Sequence, residues 1–124
     1  ASGGAVCGRT VAFAVGVGHL TEMAQAGGRW ILMHPFTRYN RRQQSDDRYH
    51  YSAYYCSQAM FQLGGKYWEA FYPELQQVLL ANQRGDGSWD REAMHDGQFG
   101  NVYTTALTVL ALTPPYQLLP IYQR

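Results

Sequence analysis

The stretch QRGDGSW, Gln83 to Trp89, decides how the rest of the chain is read. Gly85 and Gly87 permit positive φ, and Asp86 can close a turn onto nearby backbone N–H groups. A plain surface loop has no use for the large aromatic that ends the run. On its N-terminal side lies KYWEAFYPELQQVLLANQ, with Trp68, Phe71, Leu75, Val78, Leu79 and Asn82 at helical spacing. On its C-terminal side lies TTALTVLAL, apolar all round, which predicts a helix buried on every side. The stretch is therefore expected to act as a clasp between helices. Gln83 is placed to donate its amide to carbonyls left open at the end of the first helix. Trp89 can then fold back over the Gln83 side chain and keep water off those hydrogen bonds. The alternative is an ordinary turn whose tryptophan packs elsewhere in the core.

Working outward, YSAYYCSQAMFQLGG predicts a helix stopped by Gly64, and Pro73 predicts a fresh start or a kink in the helix after it. Thr21 offers an N-cap for TEMAQAGGRWILM, which ends at His34-Pro35 and which Gly27 and Gly28 should weaken or divide. Thr10 to Leu20 is apolar on nearly every side and is taken as a buried helix, although Val11, Phe13, Val15 and Val17 alternate as in a strand. The prediction is all-α, with helix pairs recurring at roughly 45 to 50 residues, the length of an α-hairpin repeat. The divisions are a degenerate helix pair at 1–34, a charged loop at 35–48, a helix pair at 49–83, the clasp and an acidic loop at 84–101, a last helix at 102–112 and an extended tail at 113–124. Ala1 reads as an internal cut or a processed end, and TPPYQLLPIYQR as a C-terminus, so the whole is read as the C-terminal part of a longer chain.

Gln83, Gly87 and Trp89, followed by Thr105-Ala106 at the opening of the next helix, resemble the QW repeat of squalene and oxidosqualene cyclases and of protein prenyltransferase β subunits. The resemblance covers roughly residues 66 to 112, and QAMFQLGGKYW looks like the inner-to-outer helix turn of such repeats. The chain also looks like bacterial proteins known only for prenyltransferase/squalene oxidase repeats. The resemblance implies an α/α toroid, with YSAYYCSQAMFQL and TTALTVLAL as inner helices and YWEAFYPELQQVLLANQ as an outer one. A complete ring takes about a dozen helices and this chain offers about five, so the resemblance implies an incomplete ring, an open arc or a ring completed by another chain.

Chemistry is harder to place. Class II cyclases draw their acid from DxDD, and the nearest match is QSDD, Gln44 to Asp47, with Asp46 as the candidate acid. Arg41, Arg42 and Arg48 would lower its pKa, the wrong direction for an acid held protonated, so a solvated charged loop is the plainer reading. Zinc ligands of the prenyltransferase kind would be Asp, Cys and His. Cys56 and His95 do not fall in those motifs, and His19, His34 and His50 show no ligand spacing. Asp86, Asp90, Glu92 and Asp96 could face a cation, but their spacing is not that of an EF-hand. No metal and no cofactor is assigned. Tyr51, Tyr54 and Tyr55, beside Tyr49 at the start of a candidate inner helix, are the ligand-binding candidates. Facing a cavity they could line an isoprenoid pocket; facing neighbouring helices they simply pack.

A formal net charge of +1 provides no field for nucleic acid or an anionic membrane, and no run approaches the ~20 apolar residues of a membrane span. The expected partner is an isoprenoid or lipid-like small molecule, with a homo-oligomer or the remainder of a ring as a further partner. A helical scaffold binding protein or glycan on its concave face is the alternative. The two cysteines, Cys7 and Cys56, are expected as buried free thiols, with a bridge between them left open. No targeting segment is visible, and no compartment is assigned.

Overall fold

A computed structural model describes residues 21–41, 48–93 and 95–118, and the backbone alone of His95 and Asp96. The expected helix over Thr10–Leu20, Asp46 and the end of the tail lie outside these residues. All regular structure among the described residues is helical: α1 (Glu22–Leu32), α2 (Tyr49–Leu63), α3 (Gly65–Ala81), α4 (Gly100–Leu112) and two short 3-10 turns, His95–Phe99 and Pro114–Tyr116. The all-α class is as predicted.

α2 is the central element and packs against α1, α3 and α4, most extensively against α4. Its position follows from its composition. Ala53, Cys56, Ala59, Met60 and Leu63 are buried within one helix, so it presents apolar surface to several neighbours at once. Gly64, at φ 67°, separates α2 from α3 and lets the chain reverse within one residue. α3 lays Tyr67, Phe71, Leu75 and Leu79 onto the core at intervals of four. It runs through Pro73 as one helix, so no fresh start is needed there.

α1 is capped by the Thr21 hydroxyl, which accepts from Ala24 N–H at 3.3 Å. Gly27 and Gly28 do not divide it. A Cβ on Gly28 would lie 2.6 Å from Leu63 Cδ1 and 2.9 Å from the Tyr67 ring, so this glycine is where α1 seats against α2 and α3. Gly28→Ala is therefore expected to destabilise by about 1–3 kcal/mol through overpacking. That outweighs the ~1 kcal/mol gained in helix propensity. A thermal melt of the variant at or above the wild-type midpoint would show that the α1 seat has slack.

Three further expectations change. Cys56 is buried and disulfide-bonded, so it is not the free thiol expected and cannot serve as a thiolate ligand. The tail does not run extended from Thr113: Pro114–Tyr116 forms a 3-10 turn with Pro114 buried. α4 is not buried all round. It buries only Thr104, Thr108 and Ala111, and it turns Val102 and Val109 to solvent. The threonines can face inward because their hydroxyls are satisfied close by. Thr108 Oγ1 donates to Thr104 O one turn back at 2.8 Å. Across the same contact Ser57 Oγ donates to Ala111 O at 2.6 Å, joining α2 to α4.

Candidate functional site

The clasp forms between α3 and α4, with its parts assigned differently from expectation. Gly87 sits at φ 86° and the turn closes through Arg84 N–H to Ser88 O at 2.8 Å and Gly87 N–H to Arg84 O at 2.9 Å. Gln83 stays exposed, and its amide donates to Gly87 O at 2.9 Å, not to the helix-end carbonyls. The helix-end carbonyl is met by the tryptophan itself: Trp89 Nε1–H donates to Leu79 O at 2.7 Å with the residue 3% exposed. The backbone of Trp89 is then tied to α4, its N–H donating to Thr105 Oγ1 at 3.0 Å. The Thr104 hydroxyl approaches Trp89 O at 3.4 Å. One residue thus caps α3 and anchors the start of α4.

Three residues farther on, Glu92 turns inward, 3% exposed. Its carboxylate accepts Tyr49 N–H at 2.6 Å, His50 N–H at 3.1 Å and His50 Nδ1–H at 3.0 Å. The N-terminus of α2, which has no capping side chain of its own, is therefore capped from 42 residues away. With Nδ1 donating to the carboxylate, His50 Nε2 accepts from the Tyr39 hydroxyl at 3.2 Å. The Tyr39 oxygen also takes a backbone hydrogen bond from Asp90. Beside it Asn40 donates to Arg91 O at 2.9 Å and accepts Ala93 N–H at 3.0 Å. Tyr49 OH donates to Phe36 O at 3.0 Å. Two loops distant in sequence are thus joined to each other and to the first turn of α2.

A carboxylate, an imidazole and a phenol stand in series, and burial sets the state of the phenols. Burial, reinforced by the negative charges of Asp90 and Glu92, pushes the Tyr39 phenol up to about 12. Burial also raises the Tyr49 phenol. Tyr39 is held as the neutral phenol, 3.2 Å from His50 Nε2. The network is a structural lock.

Of the loop's acidic residues, Asp86, Asp90 and Glu92 do not converge, and the Asp96 side chain lies outside the described residues. Asp86 accepts from the Ser88 hydroxyl at 2.6 Å and the Ser88 N–H at 3.0 Å, and both bonds hold its carboxyl below the usual range. Asp90 pairs with Arg84 at 3.1 Å, and Glu92 is committed to α2. Among the described residues no group of three or more His, Cys, Asp or Glu comes together.

Of the ligand-binding candidates, Tyr51, Tyr54 and Tyr55 do come together, half-buried on α2. The Tyr51 and Tyr55 rings lie 4.7 Å apart and those of Tyr54 and Tyr55 4.9 Å, each pair tilted by about 55°. The Arg48 guanidinium stands 6.0 Å from the Tyr51 ring, and Gln58 Nε2 donates to Tyr54 OH at 2.8 Å. Burial raises the Tyr54 phenol, with Tyr55 adding to the shift and the Gln58 bond opposing it. Rings this close leave no slot for a guest between them; a ligand would lie across them. Only Tyr55 of the three also packs on the hydrophobic core.

Sequence reasoning missed Tyr39 and His50 and read Glu92 as one of a cluster of loop acids. No spacing signal marks them, because Tyr39 and His50 lie on either side of a loop and Glu92 meets them only on the chain's return 42 residues later. Comparison with family models, with curated proteins and with solved structures finds no match for this chain. No helix among the described residues is long and apolar enough to cross a membrane.

Proposed function

We propose that this chain is a terpene-cyclase/prenyltransferase-like repeat domain, part of an α/α toroid or arc, that offers an apolar, aromatic-lined surface to an isoprenoid or other lipid-like ligand. The observation that carries the reading is the Tyr51–Tyr55–Tyr54 patch. Two half-exposed rings, Tyr51 and Tyr54, each in contact with that of Tyr55 offer an aromatic surface suited to a long hydrocarbon. Catalysis is not part of the proposal, since the phenol, imidazole and carboxylate of the lock are directed at one another.

The test is a thermal melt with and without a squalene-like isoprenoid. Saturable stabilisation is expected, approaching about 2.7 kcal/mol at a ligand concentration about 100-fold above Kd. The double variant Tyr51→Ser, Tyr54→Ser removes two half-buried rings and the acceptor of Gln58 Nε2, so it is expected to melt below wild type without ligand and to lose most of the ligand shift measured from its own baseline. The absence of any shift across a range of isoprenoids would remove the ligand surface and leave a second reading, a non-catalytic scaffold binding protein or glycan.

A further inference from the structure

The chain has two cysteines, Cys7 and Cys56, and Cys56 is disulfide-bonded, so Cys7 is the one partner its own sequence provides. Cys56 stands in the middle of α2, 1% exposed, in the core that includes Ala53, Ala59 and Met60. A bridge from there to Cys7 closes a loop of about 50 residues. That loop encloses α1 and the segment carrying Phe36, Tyr39 and Asn40, while α3, the clasp and α4 lie outside it. We infer that the bridge is a redox-sensitive latch: in the oxidised chain it holds α1 to α2, and its reduction loosens α1 while α2, α3 and α4 stay packed.

The two sides of the loop are held differently. α1 buries Ala24, Gly28 and Ile31, of which only the isoleucine is large, and Gly27 and Gly28 lower its own helix propensity. Its hydrogen bond to α3, from Tyr67 OH to Gln25 O, is long at 3.4 Å. A covalent restraint therefore matters most on this side, because opening the loop returns conformational freedom to an unfolded α1. The other side is braced without the bridge. Ser57 Oγ donates to Ala111 O at 2.6 Å, and Trp89 joins α3 to α4 through Leu79 O and Thr105 Oγ1. All of these residues lie beyond Cys56 in the chain and keep their contacts in either redox state. The surroundings of Cys56 suit both states as well: amid Ala53, Ala59 and Met60 a thiol behaves as a small apolar side chain. The reductant is a dithiol. One of its thiolates attacks the bridge to form a mixed disulfide, and its second thiol displaces the protein, which leaves Cys7 and Cys56 as thiols and the dithiol oxidised to its own disulfide.

The test is amide hydrogen exchange of the whole chain with and without dithiothreitol, preceded by peptide mapping of the unreduced chain. The map is expected to show one linked pair of peptides, carrying Cys7 and Cys56, from a chain of monomer mass. On reduction, amides of α1 (Glu22–Leu32) are expected to exchange at least about tenfold faster, and those of α4 (Gly100–Leu112) less than about threefold faster. Cys7→Ser without reductant should reproduce that pattern, and dithiothreitol should then change nothing further. Unlinked cysteines in the unreduced chain, or a link between two copies, overturn the inference. Unchanged exchange in α1 on reduction overturns it too, since the bridge then holds nothing that packing does not. Equal acceleration in α1 and α4, or unfolding of the reduced chain as a whole, overturns it by making the bridge a staple of the entire fold. None of these outcomes bears on whether an isoprenoid stabilises the oxidised chain, so the two proposals fail separately.

Discussion

Replacing Glu92 with alanine is expected to lower the stability of the chain by about 3–5 kcal/mol, the range for breaking a buried charged network by removing one partner. The carboxylate accepts from Tyr49 N–H, His50 N–H and His50 Nδ1–H, all at fully or nearly fully buried residues. Alanine leaves those donors without an acceptor and without water. A small domain has roughly 5–15 kcal/mol in total, so the variant stands near the threshold of unfolding. Glu92→Gln keeps one carbonyl acceptor and should lose about 1–3 kcal/mol, which keeps the test readable where the alanine variant fails to fold. The measurement is the urea midpoint at constant m. Losses under about 1 kcal/mol in both variants would mean that the loops are held to α2 by other contacts, and the lock would be discarded.

Trp89→Ala is expected to lower stability by about 3–5 kcal/mol, since a large buried aromatic is removed from between two helices. Trp89→Phe separates the two contributions of the side chain. It retains most of the volume and loses the indole N–H, whose acceptor Leu79 O still receives Asn82 N–H at 3.2 Å. The carbonyl is not orphaned, so the phenylalanine variant should lose only about 1 kcal/mol from the missing bond. If instead the two variants are equally damaged, the hydrogen bond and not the packing holds the clasp. If neither moves the urea midpoint, Trp89 does not join α3 to α4 in any energetic sense.

Glu92 and Trp89 stand three residues apart, yet only one of them could be anticipated. Trp89 caps a carbonyl ten residues upstream, and a turn rich in glycine ending on an aromatic signals a local reversal with something to bury. Even there the detail was missed. The Gln83 amide was the natural donor for the helix end, but the turn brings Gly87 O nearer to it and leaves Leu79 O to the indole. Glu92 gives no such signal, because its partners begin 42 residues earlier and become neighbours only when α2, α3 and the loop have packed. α4 failed for a different reason. A helix apolar on every side carries no moment to say which side turns inward. The outcome rests on which residues pack against α2, and Thr104 and Thr108 can be buried there because their hydroxyls bond Asn101 O and Thr104 O.

By itself, the sequence settled the helical class, the existence of the helices from α1 to α4, the reversal at Gly64 and the presence of a turn closed by a buried tryptophan. Each of these depends on residues within about a dozen positions of one another, where backbone propensity and apolar spacing act directly. Tertiary structure alone decided the disulfide at Cys56, the inward turn of Glu92 onto His50 and Tyr39, and the face of α4 left in solvent. Those choices are made between segments far apart in the chain. The free energy that selects them, chiefly apolar burial and the satisfaction of buried polar groups, exists only once the helices have met.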